Sequence, residues 1–233
     1  MTFSTPADQA LSPGFAEQLR QASIADWDAC VQHRFVDEIF AGTLDDAVLR
    51  HYLVQDYQFI NRFVALLGAA IASADVFASR VRLSRFAAMI CSDENTYFLR
   101  SFDRLGVPED QRLTPVLTPQ TQAFQQLMHE AAQSLSYANC IAVLAVAEGL
   151  YLDWADQPAK KQQPLPARFE HAEWITLHAN DFFRDFVGWL RSELDRVGPQ
   201  LDAAARAEAA GFFSRAVALE RAFFDHVYMG AEA

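Results

Sequence analysis

Three acidic residues lie on helix faces that should otherwise be apolar: Asp56, Glu148 and Glu220. Their apolar neighbours at helical spacing are Tyr52, Phe59, Ile60 and Phe63 for the first, Leu144, Tyr151, Leu152 and Ala155 for the second, and Phe213, Val217, Phe223, Phe224 and Val227 for the third. A carboxylate out of water must be paired, hydrogen-bonded, protonated or facing a wet pocket, and a tilted helix edge or a bond to Trp or Tyr would explain any one of them. Together the three predict one shared cavity, because carboxylates that converge in a low-dielectric pocket acquire the separated pKa values that acid and base catalysis needs.

Metal-binding patterns are weaker than this carboxylate pattern. His178 and Asp181 are three residues apart and His33 and Asp37 are four apart, and either pair has a spacing that suits a metal. The chain has no Glu-x-x-His, however, and no Asp or Glu four residues before a histidine, so the usual helical di-metal pattern is missing. It also has no Gly-x-Ser-x-Gly, phosphate-binding glycine loop or dinucleotide fingerprint. We therefore expect neither a metal nor another cofactor.

Charge and cysteine content restrict the partners and the compartment. The chain has 19 Lys and Arg against 30 Asp and Glu, a formal net charge of -11, so its average surface repels nucleic acid and anionic lipid. Residues 1–15 lack a signal-peptide pattern, and nowhere do about 18 uncharged apolar residues run together. Cys30, Cys91 and Cys140 form no Cys-x-x-Cys pair, as is typical of free thiols in a reducing compartment. We expect a cytoplasmic protein without membrane or nucleic-acid partners.

The elements that position these residues are predicted to be helices. A chain of 233 residues that is 52% hydrophobic suffices for one core, and its nine glycines and nine prolines separate long stretches of helical periodicity. Helices are predicted at 12–30, 43–73, 75–105, 120–135, 136–156, 167–179, 181–197 and 199–228, with a short apolar segment at 33–41 and a surface loop at 157–166. Ser12 and Thr43 are the predicted caps of the first two helices, and Gly42 and Gly106 are predicted to end the segments before them. We expect a single helical domain over residues 1–233. The 19 phenylalanines, many of them on inward faces, indicate an all-α compact bundle with an aromatic interior.

Seven segments, read in order, resemble the TenA family, also called thiaminase II. They are residues 33–36 (HRFV), 41–44 (AGTL), 51–57 (HYLVQDY), 119–124 (PQTQAF), 147–155 (AEGLYLDWA), 174–183 (WITLHANDFF) and 220–228 (ERAFFDHVY). The resemblance covers roughly residues 32–228, and its more specific parts are 51–57 and the last helix. It implies a haem-oxygenase-like helical fold without haem, frequent assembly as a homotetramer, and hydrolytic salvage of thiamin pyrimidines, hence a small aminopyrimidine substrate.

The central helix decides which branch of that family the chain resembles. One branch has a nucleophilic cysteine in this helix, and the other lacks it and has a glutamate nearby. The matching position here reads Ala147-Glu148, so the chain is similar to the glutamate branch. Cys140 is no substitute, since seven residues of helix displace it by roughly 10 Å along the axis.

The resemblance also implies roles for the three carboxylates. Asp56 would hold the amidine edge of an aminopyrimidine, and Glu220 would donate a proton to the departing group. Glu148 would orient or deprotonate the attacking water. Aminomethylpyrimidine, its N-formyl derivative and thiamin all remain open as substrates.

Further residues are expected at the substrate. Tyr151 matches a tyrosine found near the family's site, and we also expect Tyr52 to contact the substrate. Phe59, Phe124 and His178 stand where members of the cysteine branch commonly have tyrosines, so hydroxyl groups that would bind the pyrimidine are missing.

Two other classes of function remain open at this stage. One is an oxidase or oxygenase of the same helical class that uses a metal or a bound quinone-like compound, and metal analysis with a visible spectrum would reveal it. The other is a non-enzymatic sensor whose carboxylates only bind a small molecule, and turnover of any pyrimidine would exclude it.

Overall fold

The computed structural model describes residues 13–229, and within that range the regular structure is helical, with no strand. Fourteen α-helices follow one another: α1 (Phe15–Ala22), α2 (Ile24–Val31), α3 (Arg34–Ala41), α4 (Asp46–Tyr57), α5 (Phe59–Ser73), α6 (Phe77–Met89), α7 (Asn95–Leu105), α8 (Glu109–Leu113), α9 (Pro119–Gln133), α10 (Tyr137–Ala155), α11 (Pro158–Lys161), α12 (Phe169–His178), α13 (Asp181–Val197) and α14 (Ala203–Met229). A π-helical turn, Ile90–Glu94, joins α6 to α7, and a 3₁₀ turn, Gly198–Gln200, follows α13. The predicted all-α class is confirmed.

Helix α10 is the central element of the bundle. It packs against α2, α5, α9, α12, α13 and α14, and nearly all its residues are buried. Ser136 caps its start by accepting a hydrogen bond from the backbone N–H of Asn139. Its length and mean hydropathy of 1.3 would suit a membrane span, but 89% of that window is buried inside the bundle. The apolar composition of α10 therefore reflects its place in the core.

The interior is aromatic, as the phenylalanine content predicts. Phe59 lies between Phe124 and Phe223, with ring centroids 5.3 and 5.1 Å away. Trp174 stacks on Tyr97 at 4.9 Å. Rings at such separations gain attraction beyond the area that they bury, which stabilises the helices around one end of α10.

Two predicted helices are each divided in two. The stretch predicted at 12–30 breaks at Ser23, whose backbone (φ -115°, ψ 16°) is not helical. Ser12, proposed as its cap, lies outside the described residues, and α1 begins after Gly14 without a side-chain cap. The stretch predicted at 43–73 breaks at Gln58, between α4 and α5. Asp45, and not Thr43, caps α4, because its side chain accepts from the backbone N–H of Ala47.

The predicted helix 75–105 contains the π-helical turn and starts later than expected. Asp75 does not open it, since its carboxylate forms an ion pair with Arg196 at 2.7 Å, and α6 begins at Phe77. The predicted glycine stops are confirmed: Gly42 and Gly106 end α3 and α7 with φ of 70° and 66°, a conformation that favours glycine.

Candidate active site

One pocket lies at the meeting point of α4, α5, the π-helical turn, α9, α10, α12 and α14. All three carboxylates singled out by the sequence line it. The complete lining is Asp56, Phe59, Ile60, Phe63, Ile90, Glu94, Phe124, Met128, Ala147, Glu148, Tyr151, Trp174, His178 and Glu220. Acidic residues as far apart in the chain as Asp56 and Glu220 thus line one cavity.

These carboxylates are removed from water without a protein partner. Glu148 and Glu220 are 7% and 3% exposed, and Asp56 is partly buried. Among residues 13–229, none of the three side chains has a hydrogen bond or an ion pair. Buried carboxylates are normally paired, so this arrangement favours a site that a ligand or water completes.

Burial and mutual repulsion raise the pKa of all three groups. Burial is the main cause for Glu148, and the charges of Glu94, Glu220 and Asp56 add to it. Burial followed by the charge of Asp56 raises the pKa of Glu220, and burial followed by the charge of Glu94 raises that of Asp56. Carboxyl groups coupled in this way do not all ionise together, so one can carry a proton while another accepts one.

Glu94 is a fourth pocket carboxylate, which the sequence reasoning missed. It is the last residue of the π-helical turn, and burial raises its pKa to about 7. The signal was present, since Ile90, Tyr97 and Phe98 stand at offsets of minus four, three and four from it. Single π-helical turns inside α-helices are frequent at functional sites, and here the turn contributes both Ile90 and Glu94 to the pocket.

The TENA/THI-4/PQQC family pattern matches residues 21–230. The chain belongs to this family. The match includes every helix that lines the pocket, from α4 to α14.

Relatives and solved structures agree with this family assignment. An aminopyrimidine aminohydrolase of Halalkalibacterium halodurans is 24% identical, with 92% of this chain and 95% of the relative covered. An aminopyrimidine aminohydrolase of Bacillus subtilis is 23% identical, with 74% of this chain and 72% of the relative covered. A TenA homologue of Pyrococcus furiosus superposes with a TM-score of 0.81 at 19% identity, covering 92% and 100%. A Shewanella denitrificans domain described as having a heme oxygenase-like fold gives 0.66 at 14%, covering 91% of each chain. The predicted haem-oxygenase-like fold is confirmed.

The pocket of this TENA/THI-4/PQQC family member has no cysteine among its lining residues. Ala147 lines the pocket at the position that, by the family resemblance, holds the nucleophilic cysteine in the cysteine branch. Cys140 is fully buried and donates to the backbone carbonyl of Ala131 at 3.4 Å, and Cys30 is also buried. Burial raises the pKa of both thiols, which disfavours the nucleophilic thiolate.

Of the aromatic residues expected at the substrate, Tyr151, Phe59 and Phe124 line the pocket. Tyr52 is not among the lining residues, so its contact with the substrate stays a prediction. Its side chain is fully buried, and its hydroxyl is hydrogen-bonded to that of Tyr151 at 2.6 Å. Tyr52 therefore holds Tyr151 in place from the core side of the pocket. It lies on the same helical face as Asp56, but such a face also includes positions that point into the core.

His178 lines the pocket as a neutral imidazole. Burial lowers its pKa to about 4. Its Nδ1 donates to the backbone carbonyl of Trp174 at 2.8 Å, since a carbonyl oxygen can only accept. Nε2 is then left only as an acceptor, whereas the tyrosine that the family resemblance implies at this position could donate as well as accept.

The pairs weighed as metal ligands have other partners. His33 caps α3 through Nδ1 and faces Asp225 at 3.3 Å through Nε2, and Asp37 pairs with Lys160. Asp181 pairs with Arg184 at 2.7 Å. Within the described range, no three His, Cys, Asp or Glu side chains are grouped so as to hold a metal ion.

Proposed function

We propose that this chain is a thiamin-pyrimidine salvage hydrolase, which cleaves a C–N bond on the methyl arm of an aminopyrimidine. Its family, and relatives named aminopyrimidine aminohydrolase, support this assignment. The observation that carries it is the convergence of Asp56, Glu148 and Glu220 in one pocket, where no side chain of residues 13–229 neutralises them. A hydrolysis that needs one group to give a proton and another to take one suits such a cluster.

The pocket offers separate surfaces for the ring and for the reacting arm. The rings of Phe59, Phe124 and Trp174 form apolar walls that suit a flat heterocycle. The carboxylate of Asp56 accepts hydrogen bonds from the amino edge of the pyrimidine. This arrangement leaves the arm directed towards Glu148 and Glu220.

In the chemical step, water adds to the methylene carbon as the C–N bond breaks. Glu148 takes a proton from the water molecule, and the oxygen of that water bonds to the carbon. Glu220 donates a proton to the nitrogen, which keeps the electron pair of the broken bond. The amine and water become the hydroxymethyl compound and ammonia. Each positioned acid or base contributes about 10² to 10⁴-fold, and the coupled pKa values allow one glutamate to be ionised while the other is protonated.

Replacing the proposed base tests this mechanism. Glu148→Gln keeps the shape and hydrogen-bonding reach of the side chain but cannot take a proton. We expect kcat to fall by about 10² or more while KM stays within about threefold, measured by chromatography of product. Glu208→Gln, an exposed position on α14, is the matched control. An unchanged rate in Glu148→Gln would give this residue a structural role and contradict the proposal.

The residues Ala147 and Glu148 support the glutamate branch, and we expect no cofactor. Incubation with aminomethylpyrimidine, its N-formyl derivative and thiamin in parallel identifies which is consumed. A cytoplasmic location and one domain over residues 1–233 stay predictions.

A further inference from the structure

The pocket has an excess of acidic side chains over basic ones. Four carboxyl groups line it: Asp56, Glu94, Glu148 and Glu220. Neither Lys nor Arg is among its described lining residues, and the remaining basic group, His178, is neutral because burial lowers its pKa to about 4. A cation is therefore what this pocket lacks.

Elsewhere the same chain neutralises its buried carboxylates with its own side chains. Glu193 is 5% exposed, and it accepts hydrogen bonds from Arg196, Tyr137 and Ser79 at 2.6 to 2.8 Å. The four pocket carboxylates have no such partner in the part of the chain that the structure describes. The contrast indicates that the missing positive charge arrives with the ligand.

Glu94 is the carboxylate least committed to the roles already proposed. Its side chain forms neither a hydrogen bond nor an ion pair with any residue between 13 and 229. It is partly accessible, unlike Glu148 and Glu220, and its charge acts on both Asp56 and Glu148. It thus lines the same pocket as the group that would hold the ring and the group that would activate water.

We propose that Glu94 binds the positively charged ammonium group of the substrate's arm, so that the enzyme selects an amine-bearing pyrimidine over one with a neutral formylamino arm. This inference rests on the proposed function for the identity of the ring. An ammonium donates charge-assisted hydrogen bonds to a carboxylate, about twice as strong as neutral ones, whereas a formylamino group has one uncharged N–H.

An ammonium arm is compatible with the proton transfers described above. The ammonium nitrogen already carries the proton that it needs on leaving, so Glu220 need only hydrogen-bond to this nitrogen while the C–N bond breaks. The ammonia released then takes up the proton that Glu148 removed from water. The ammonium form and water become the hydroxymethyl compound and an ammonium ion, with no other reactant. The bound ammonium favours the ionised form of Glu94, against the effect of burial in the empty pocket, and Glu94 then holds the departing cation.

The test compares two ligands on two variants. Binding of aminomethylpyrimidine and of its N-formyl derivative is measured by titration calorimetry. The two proteins compared are the Glu148→Gln variant, whose slow turnover leaves the ligand intact, and the same variant with Glu94→Gln added. Asp93→Asn is the matched control, since it removes a neighbouring charge that is exposed and does not line the pocket. Turnover by the unmodified enzyme is measured separately.

We expect Glu94→Gln to weaken binding of the amine by about ten- to a hundredfold and binding of the formyl compound by less than about threefold. Asp93→Asn should leave both unchanged. Equal weakening of both ligands, no change in either, or no binding of the amine by the background protein overturns the inference. Selective binding without turnover would instead retain the inference and refute the proposed function, which keeps the two failures apart.

Discussion

Glu148 and Glu170 are both buried carboxyl groups, yet their surroundings shift their pKa values in opposite directions. Burial opposes ionisation of Glu170, but its backbone hydrogen bonding and the guanidinium of Arg168, at 2.5 and 2.8 Å, lower its pKa overall. Glu148 has burial and like charges alone, and its pKa is raised. A carboxyl group held for structure and one held for chemistry are thus distinguished by their partners, since both are removed from water.

Glu94 gives a prediction for stability as a function of pH. Its pKa is about 7 when folded against 4.5 as the reference, so between these values the folded state holds the extra proton. Stability from this group is therefore present below pH 4.5 and lost as pH rises through 7. We expect Glu94→Gln to raise the free energy of unfolding by about 1 to 3 kcal/mol at pH 8 and to leave it unchanged at pH 4, as measured by urea denaturation. A constant difference at both pH values would show that Glu94 keeps its ordinary pKa.

At the scale of elements, the breaks in the helices matter as much as the helices. The break at Gln58 separates α4, which carries Asp56, from α5, which carries Phe59, yet both residues line the pocket. The π-helical turn between α6 and α7 brings Ile90 and Glu94 to the same cavity. Irregular backbone therefore coincides with two of the four acidic positions.

Gln55 joins the end of α4 to the start of α9. It is 2% exposed, its Nε2 donates to the carbonyl of Val116 at 3.0 Å, and its Oε1 accepts from the backbone N–H of Thr118 and the hydroxyl of Thr121 at 3.0 and 2.8 Å. These bonds position Asp56, the next residue, relative to Phe124 on α9. One amide side chain thereby satisfies two buried groups, the N–H of Thr118 and the hydroxyl of Thr121, and also binds the carbonyl of the exposed Val116.

Removal of that amide should destabilise the protein. We expect Gln55→Leu to lower the free energy of unfolding by about 2 to 4 kcal/mol, because three polar groups lose their partner. Gln122→Leu, at an exposed position on α9, is the control and should cost less than about 0.5 kcal/mol. Equal effects in chemical denaturation would mean that the Gln55 network contributes little.

At the scale of the whole molecule, one apolar face is left uncovered by residues 13–229. Phe77, at the start of α6, is 78% exposed, and it borders a groove with Ile71, Val81 and two arginines, Arg80 and Arg85. An exposed aromatic residue set among other apolar side chains is typical of surfaces buried between subunits. This face is consistent with the homo-oligomer that the family resemblance predicts.

We expect sedimentation to give a homo-oligomer, most simply a tetramer, because burial of such faces between subunits is favourable. Phe77→Asp should shift the distribution towards smaller species. Leu113→Asp, at a residue that is 62% exposed elsewhere, is the control and should not. A single 26.1 kDa species at micromolar concentration for the unmodified protein contradicts the prediction.

The sequence by itself determined the helical class, most helix positions and the three carboxylates on apolar faces. The reason is local: a period of 3.6 residues, a glycine at Gly42 or Gly106, and an acidic residue among apolar ones all act within a few turns. The same local rule applied to residues 90–98 would also have identified Glu94. It misplaced the starts of α4 and α6, where Asp45 rather than Thr43 is the cap and Asp75 pairs with Arg196.

Only the tertiary structure decided which of these residues meet. Periodicity identifies the buried face of a helix but not the neighbour that this face contacts, and α4, α10 and α14 are distant in sequence. Packing around α10 places Asp56, Glu148 and Glu220 in one pocket and puts Tyr52 behind Tyr151. The excess of acidic side chains in the pocket arises in the same way. Four separate segments of chain each contribute one carboxyl group, and none of the described lining residues is a lysine or an arginine.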